Sequence, residues 1–395
     1  MSKIKNILSS RYALLALIGV VCVALVVITI VSVASGDDPD QGSDSVMQSP
    51  DPTPEPPPVS TPSTPEPVPE QTPEPTPDPT PEPPPEPTST NPLTGMPMAE
   101  ELIRNRPIAV SMGNQTDAQP MNGISAADIL YEMPVEGVTR MIGIFQDTSN
   151  VPKIGSIRSA RHYTVQIAES HDAILVHVGG SPLGLKYISD RRVTNLDETP
   201  ETSPVIRRDN DRVPGQRMAR PNNTVLLGER LTDWLPERSF RITHGENFDL
   251  GLSFTDDGIP QNGDNAAEVI VRFESGKTST FKYNADRETY SFNQYNTNVI
   301  DANDNSHPAF TNLLIIRTSI STLQGEGSGA GRRQIITTGS GEGYFVCGGK
   351  YVEINWHRED TKPFRYTFLD GTEVELGRGR TYIGIVPTGA EQIFN

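Results

Sequence analysis

The chain has 395 residues, with 33 Lys plus Arg against 50 Asp plus Glu and a formal net charge of −17 at pH 7. Much of this charge belongs to residues 37–90, but residues 91–395 still hold 30 Lys plus Arg against 38 Asp plus Glu, a balance that argues against the basic footprint of a nucleic-acid partner. Its two cysteines, Cys22 and Cys347, fall in different parts of the chain. No disulfide is therefore expected within the folded part, and Cys347 reads as a small buried hydrophobe.

Residues 1–11 carry Lys3, Lys5 and Arg11 and read as a cytoplasmic N-terminus. Residues 12–35 enclose an apolar run, 14–34, broken only by Gly19, Thr29 and Ser32. At about 1.5 Å rise per residue this run spans a ~30 Å hydrocarbon core, and it exceeds the roughly 7–15 residues of a cleaved signal's apolar region. Basic residues precede it and Asp37, Asp38 and Asp40 follow, which places the C-terminal side outside the cell. Gly19-Val20-Val21-Cys22 is a poor lipobox, so a retained single-pass transmembrane helix is the expected membrane contact.

Residues 36–90 form an acidic stalk. Twenty of the 36 prolines lie in 39–87, and 37–90 hold twelve Asp or Glu with no Lys or Arg. Repeats such as Thr64-Pro65-Glu66-Pro67 and Thr72-Pro73-Glu74-Pro75 fix φ and remove backbone donors, which predicts a disordered, polyproline-like spacer. At ~3.1 Å per residue it reaches about 150 Å at most, enough to hold a domain through a thick cell wall.

Residues 91–245 alternate strand and helix signals. A turn at 91–95 leads to a strand at 107–112, a short helix entering a strand at 125–131, and a strand at 141–145. A helix is predicted at 158–170, a two-faced strand at 173–178, a tight turn at Gly179-Gly180-Ser181-Pro182, and a helix at 223–235. From 246 to 395 short β runs recur, at 269–273, 280–283, 290–295, 313–317, 335–338, 344–347, 351–356, 365–368 and 382–386. Leu369-Asp370-Gly371-Thr372 is a hairpin signal, and the glycine-rich 325–331 reads as a flexible loop. The expected fold is α+β, a mixed α/β N-terminal part followed by a mostly antiparallel β C-terminal part.

Several segments carry a family resemblance. They are Asn91-Pro92-Leu93-Thr94-Gly95, Arg106-Pro107-Ile108-Ala109-Val110, Ala127-Asp128-Ile129-Leu130-Tyr131-Glu132 and Val135-Glu136-Gly137-Val138-Thr139-Arg140. Ile154-Gly155-Ser156-Ile157-Arg158-Ser159-Ala160-Arg161 and Val176-His177-Val178-Gly179-Gly180-Ser181-Pro182 complete the set. Together they resemble the YerB-like lipoproteins of the DUF3048 type. The resemblance implies a bacterial protein anchored in the envelope and supplies no activity. The chain departs from that pattern twice, with a transmembrane run in place of a lipobox and with Pro221-Asn222-Asn223 where the family tends to read Pro-His-Asn.

Candidate site residues are Arg158, Arg161, His177, Ser181, Glu136, Arg140 and Asn223. On a helix over 158–170, Arg158 and Arg161 would share a face at its first turn and offer two guanidiniums to a carboxylate or phosphate. The competing role is ion pairing with Glu132 or Glu136. His177 precedes a Gly-Gly turn at the carboxyl end of a strand, where ligands sit in open α/β sheets. The six histidines (162, 171, 177, 244, 307 and 357) show no metal-ligand spacing, and no Walker A or dinucleotide loop is present, so neither metal nor cofactor is expected. Trp356 and Tyr382 are read as core residues or as sugar-stacking aromatics. The function expected is a membrane-anchored extracytoplasmic protein that binds an anionic envelope ligand, a cell-wall glycan or an envelope protein. The alternative is a hydrolase or transferase acting on wall polymer through Glu136, His177 or Ser181.

Overall fold

Strands with apolar side chains on both faces form the centre of the molecule. The computed structural model describes residues 89–395 except Glu326, Ser328 and Ala330, with the backbone alone of Ser275. The apolar run at 14–34 and the proline-rich stalk lie outside these residues. Among the described residues no helix is long and apolar enough to cross a membrane.

Eleven strands make the central sheet. They are Ile108–Gly113 (β1), Ile129–Pro134 (β2), Thr139–Phe145 (β3), Ile174–Val176 (β4), Asn195–Leu196 (β5) and Asp264–Asn265 (β6). Asn312–Thr318 (β7), Gly339–Cys347 (β8), Lys350–Arg358 (β9), Arg365–Phe368 (β10) and Thr381–Pro387 (β11) complete it. The order is β6-β9-β8-β7-β11-β2-β3-β1-β4-β5, with β10 paired to β9. The pairs β7–β11, β11–β2, β1–β4 and β4–β5 are parallel, and the others antiparallel. Thr381 of β11 aligns with Ile129 of β2, so one sheet runs through both sequence halves.

Period-two alternation explains the layering. Ile108, Val110, Met112, Leu130, Leu313 and Ile315 pack on one face, while Ala109, Ile129, Tyr131, Leu314 and Ile316 pack on the other. A second sheet covers the first face through Val269, Val271, Phe281, Phe292 and Phe310. It comprises Glu268–Arg272, Thr278–Asn284, Thr289–Gln294, Thr297–Asn298, Ala309–Phe310 and Ile393–Phe394. The other face is covered by helix α1 (His162–Ser170) and helix α2 (Pro182–Arg191), through Tyr163, Val165, Ile167 and Ile188. The α+β reading holds. Trp356 and Tyr382 are core residues on this alternation, 2% and 0% exposed, and are not open to a sugar ring. Cys347 is buried, and burial pushes its thiol up to about 12.

Three local expectations are corrected. The helix predicted at 158–170 begins at His162, because residues 156–160 spend their backbone groups on neighbouring strands. Arg158 N–H donates to Ser111 O at 2.8 Å and Ala160 N–H to Gly179 O at 2.9 Å. The helix predicted at 223–235 begins instead as strand Thr224–Leu227, held between Lys153–Gly155 and Ile206–Arg208. Only Leu231–Trp234 and its flanking 3-10 turns are helical there. The tight turn at 179–182 is the start of α2, with Ser181 as N-cap and Pro182 in its first turn.

Candidate anion-binding site

β1, β2 and β4 point the same way, so their carboxyl ends open on one edge of the sheet. Residues 156–160 cross that edge. Gly113 N–H donates to Ser156 O at 2.9 Å, and Val178 N–H to Arg158 O at 3.3 Å. Ser181 N–H then closes the crossing on Ala160 O at 3.0 Å. This extended segment delivers Arg158, Ser159 and Arg161 to the ends of three strands.

Arg158 is buried. Its Nη1 donates to Pro221 O at 2.6 Å and its Nη2 to Asn222 Oδ1, both neutral acceptors. Gly113 makes room for it, since a Cβ there would stand 2.6 Å from Arg158 Nε and 2.9 Å from Ser156 Oγ. Arg140, on β3, donates through Nη1 to Ser159 O, and its buried Nε has no hydrogen-bond partner among the described residues. Arg212 adds a third buried guanidinium, bonded to the carbonyls of Ala118, Pro120 and Asn222 and to Asn122 Oδ1. Among the described residues, ion pairs within 4 Å include none of these three.

Burial lowers Arg158, Arg140 and Arg212 to about 10 each. For Arg140 the charges of Arg161 and Arg158 add to burial, and for Arg212 the charge of Arg158 does. Four guanidiniums therefore repel one another along this edge. Among the described residues Arg161 is the one of the four within ion-pairing distance of a carboxylate, while Glu136, Asp117 and Asp209 act on Arg140, Arg158 and Arg212 from farther away. Arg161 Nε and Nη2 hold both oxygens of Glu136, at 2.8 and 2.9 Å. Burial pushes the Glu136 carboxyl up, but the hydrogen bond and charge of Arg161 outweigh it and hold the group below its ordinary value.

The match to known families covers both halves of the folded part. Residues 93–240 match the family model described as "Protein of unknown function (DUF3048) N-terminal domain", and residues 269–383 match its C-terminal domain. The chain belongs to the DUF3048 family. It is 28% identical over 306 residues to YerB of Bacillus subtilis (strain 168), a protein named as a candidate lipoprotein, covering 75% of this chain and 86% of the relative. The crystal structure of YerB from Bacillus subtilis has the same fold, with a TM-score of 0.65 at 23% identity over 76% of this chain and 97% of that one.

Within this DUF3048 fold the sequence-selected residues fall into two groups. Glu136, Arg140, Arg158 and Arg161 converge, although Arg158 and Arg161 share no helix face: Arg161 is the N-cap residue of α1 and Arg158 lies in the extended segment before it. Neither pairs with Glu132. His177 and Ser181 border the same crossing but have separate partners. His177 Nδ1 faces Gly179 O at 2.8 Å and its Nε2 faces Asn195 Oδ1 at 3.3 Å. Ser181 Oγ accepts from Gly184 N–H at 3.1 Å, the bond of a helix cap. Asn223 donates to Asn210 Oδ1 at 2.7 Å and stands behind Asn222.

Sequence reasoning missed Asn222, Arg212, Ser111 and Ser156. The hydroxyls of Ser111 and Ser156 are buried without a hydrogen-bond partner among the described residues, and both residues pair with the Gly113–Arg158 stretch. No motif announces them, since their role comes from strand register alone. Buried N–H and O–H donors without acceptors stand beside guanidiniums whose hydrogen bonds go to neutral acceptors, so hydrogen-bonding capacity there is unmet.

Proposed function

We propose that this chain is a membrane-tethered extracytoplasmic protein that binds an anionic component of the cell envelope through Arg140, Arg158 and Arg161. The observation that carries the reading is the pair of buried guanidiniums, Arg140 and Arg158, whose hydrogen bonds go only to neutral acceptors while Arg140 Nε goes unused. A carboxylate or phosphate arriving there gains charge-assisted hydrogen bonds and relieves the mutual repulsion. The apolar run at 14–34, the proline-rich stalk and the name of the Bacillus subtilis relative support placement at the outer face of a membrane.

The test is retention of the purified full chain on isolated cell-wall material, wild type against Arg158→Ala/Arg161→Ala, with thermal unfolding of both as a control for folding. Charge-assisted bonds of about 1.5–3 kcal/mol each imply a loss of affinity of roughly tenfold or more. Equal retention by a folded double variant refutes the proposal.

A further inference from the structure

The opposite face of the same sheet edge holds a different cluster. Glu132 of β2 is fully buried, and its Oε1 lies 2.7 Å from Lys277 Nζ. The same oxygen accepts from Asn114 Nδ2 at 2.9 Å and from Thr139 Oγ1 at 2.6 Å. Oε2 accepts from Ser279 Oγ at 2.7 Å and Tyr382 Oη at 2.8 Å. One carboxylate oxygen thus touches both a primary amine and a carboxamide. Asn114 itself is 0% exposed, and its Oδ1 accepts from Gln119 Nε2 at 3.0 Å. Lys277 Nζ sits 5.3 Å from the Tyr295 ring centre and 5.6 Å from that of Phe273, so the amine is enclosed by aromatic surface.

We propose that Lys277 and Asn114 are joined by a self-catalysed isopeptide bond, with Glu132 as the proton relay. The nucleophile and the electrophile meet the same oxygen, Glu132 Oε1, and a donor faces the carbonyl that would take up charge. An amine attacks only when neutral, and a proton passing from Nζ to Glu132 Oε1 along their hydrogen bond removes both buried charges at once. Burial lowers Lys277 against the opposing charge of Glu132. Burial pushes the Glu132 carboxyl up, but the charge of Lys277 and the donors around Glu132 outweigh it and hold that carboxyl below its ordinary value. The ion pair is therefore the resting state, and the proton transfer is the activating step. The neutral Nζ adds to Asn114 Cγ, and the negative charge that develops on Oδ1 is met by Gln119 Nε2–H. Glu132 then gives its proton to Nδ2 and takes one from Nζ. The Cγ–Nδ2 bond breaks, the Nζ–Cγ amide remains, and one ammonia leaves. No oxidant, reductant or water is consumed.

The bond would tie the residue that follows β1 to the residue that precedes Thr278–Asn284, clamping the central sheet to the second sheet.

The experiment is mass spectrometry of the wild-type full chain, purified from membranes, denatured and digested with trypsin. The expected product is one branched peptide that joins the segments containing Asn114 and Lys277, lighter than their sum by one ammonia and uncut at Lys277. Separate, unmodified peptides overturn the proposal. A branched product lighter by one water also overturns it, because that loss marks a bond from Lys277 to Glu132. Asn114→Ala is expected to abolish the branched peptide, and its persistence in that variant overturns the assignment. These readouts are independent of ligand binding, so they leave the proposed function to its own test.

Discussion

The two oxygens of Glu136 are held by the Nε and Nη2 of Arg161, at 2.8 and 2.9 Å, so the turn between β2 and β3 is tied to the cap of α1. The two side chains are 20% and 14% exposed, so solvent weakens the pair without cancelling it. Glu136→Gln is expected to cost about 1 kcal/mol at neutral pH. The folded carboxyl titrates below its ordinary value, so its contribution is full above the usual carboxylate range and fades as pH falls through it. Urea unfolding at pH 7 and in the carboxylate range should therefore show the variant's deficit shrinking in acid. A deficit independent of pH contradicts the ion pair.

His171 sets a second pH dependence. Its Nε2 lies 2.8 Å from Tyr131 Oη, and burial, helped by the charges of Arg358 and His244, lowers it to about 3. The unfolded chain takes up this proton near pH 6.5, whereas the folded chain does so only near pH 3. Between those values the unfolded state binds more protons, so stability falls as pH falls, by up to about 1.4 kcal/mol per pH unit from this group. His171→Phe is expected to flatten that part of the stability profile, measured as the unfolding midpoint across the window. An unchanged slope excludes His171 as its source.

What the sequence revealed and what it hid follow from the range of the interactions. The runs at 107–112, 141–145, 313–317 and 382–386 are legible because apolar residues on both faces of a strand mark a buried sheet. The arginine cluster is legible as residues but not as geometry. A helix over 158–170 satisfies local propensity, yet Ser111 and Gly179 claim the backbone of 158–160 from distant strands. Thr224–Leu227 was hidden in the same way, since two partners far apart in sequence turn a helical pattern into a strand. Ser181-Pro182 did carry a local signal, an N-cap followed by proline, but the preceding glycines read equally well as a turn. Glu132 and Lys277 meet only through the pairing of the two sheets, and no spacing in the chain encodes that.

Ser181 separates a structural role from a chemical one. Its Oγ accepts the Gly184 N–H, and a Cβ at Gly184 would lie 2.9 Å from Ala160 O, so the start of α2 is fitted tightly against the 156–160 crossing. Losing the cap in Ser181→Ala is expected to cost about 1 kcal/mol, while Ser181→Asp keeps an acceptor at the N-cap and should restore most of it. Denaturant midpoints of the three proteins check this. Equal loss in both variants contradicts the cap.

Gly113 offers the sharpest probe of the proposed binding site, because it changes the site without removing a charge. A methyl group there would stand 2.6 Å from Arg158 Nε and 2.9 Å from Ser156 Oγ, closer than a Cβ approaches other atoms, and 3.1 Å from Arg158 Cζ, a tight contact. The guanidinium cannot retreat while keeping its bonds to Pro221 O and Asn222 Oδ1, so Gly113→Ala must displace it or break them. Overpacking of this kind costs about 1–3 kcal/mol, and the thermal midpoint should fall accordingly. Retention on cell-wall material should fall with it, even though every arginine is still present. A destabilised Gly113→Ala protein that binds wall material as wild type would show that the position of Arg158 does not matter to the ligand. Weakened binding at temperatures where the variant is fully folded would show that it does.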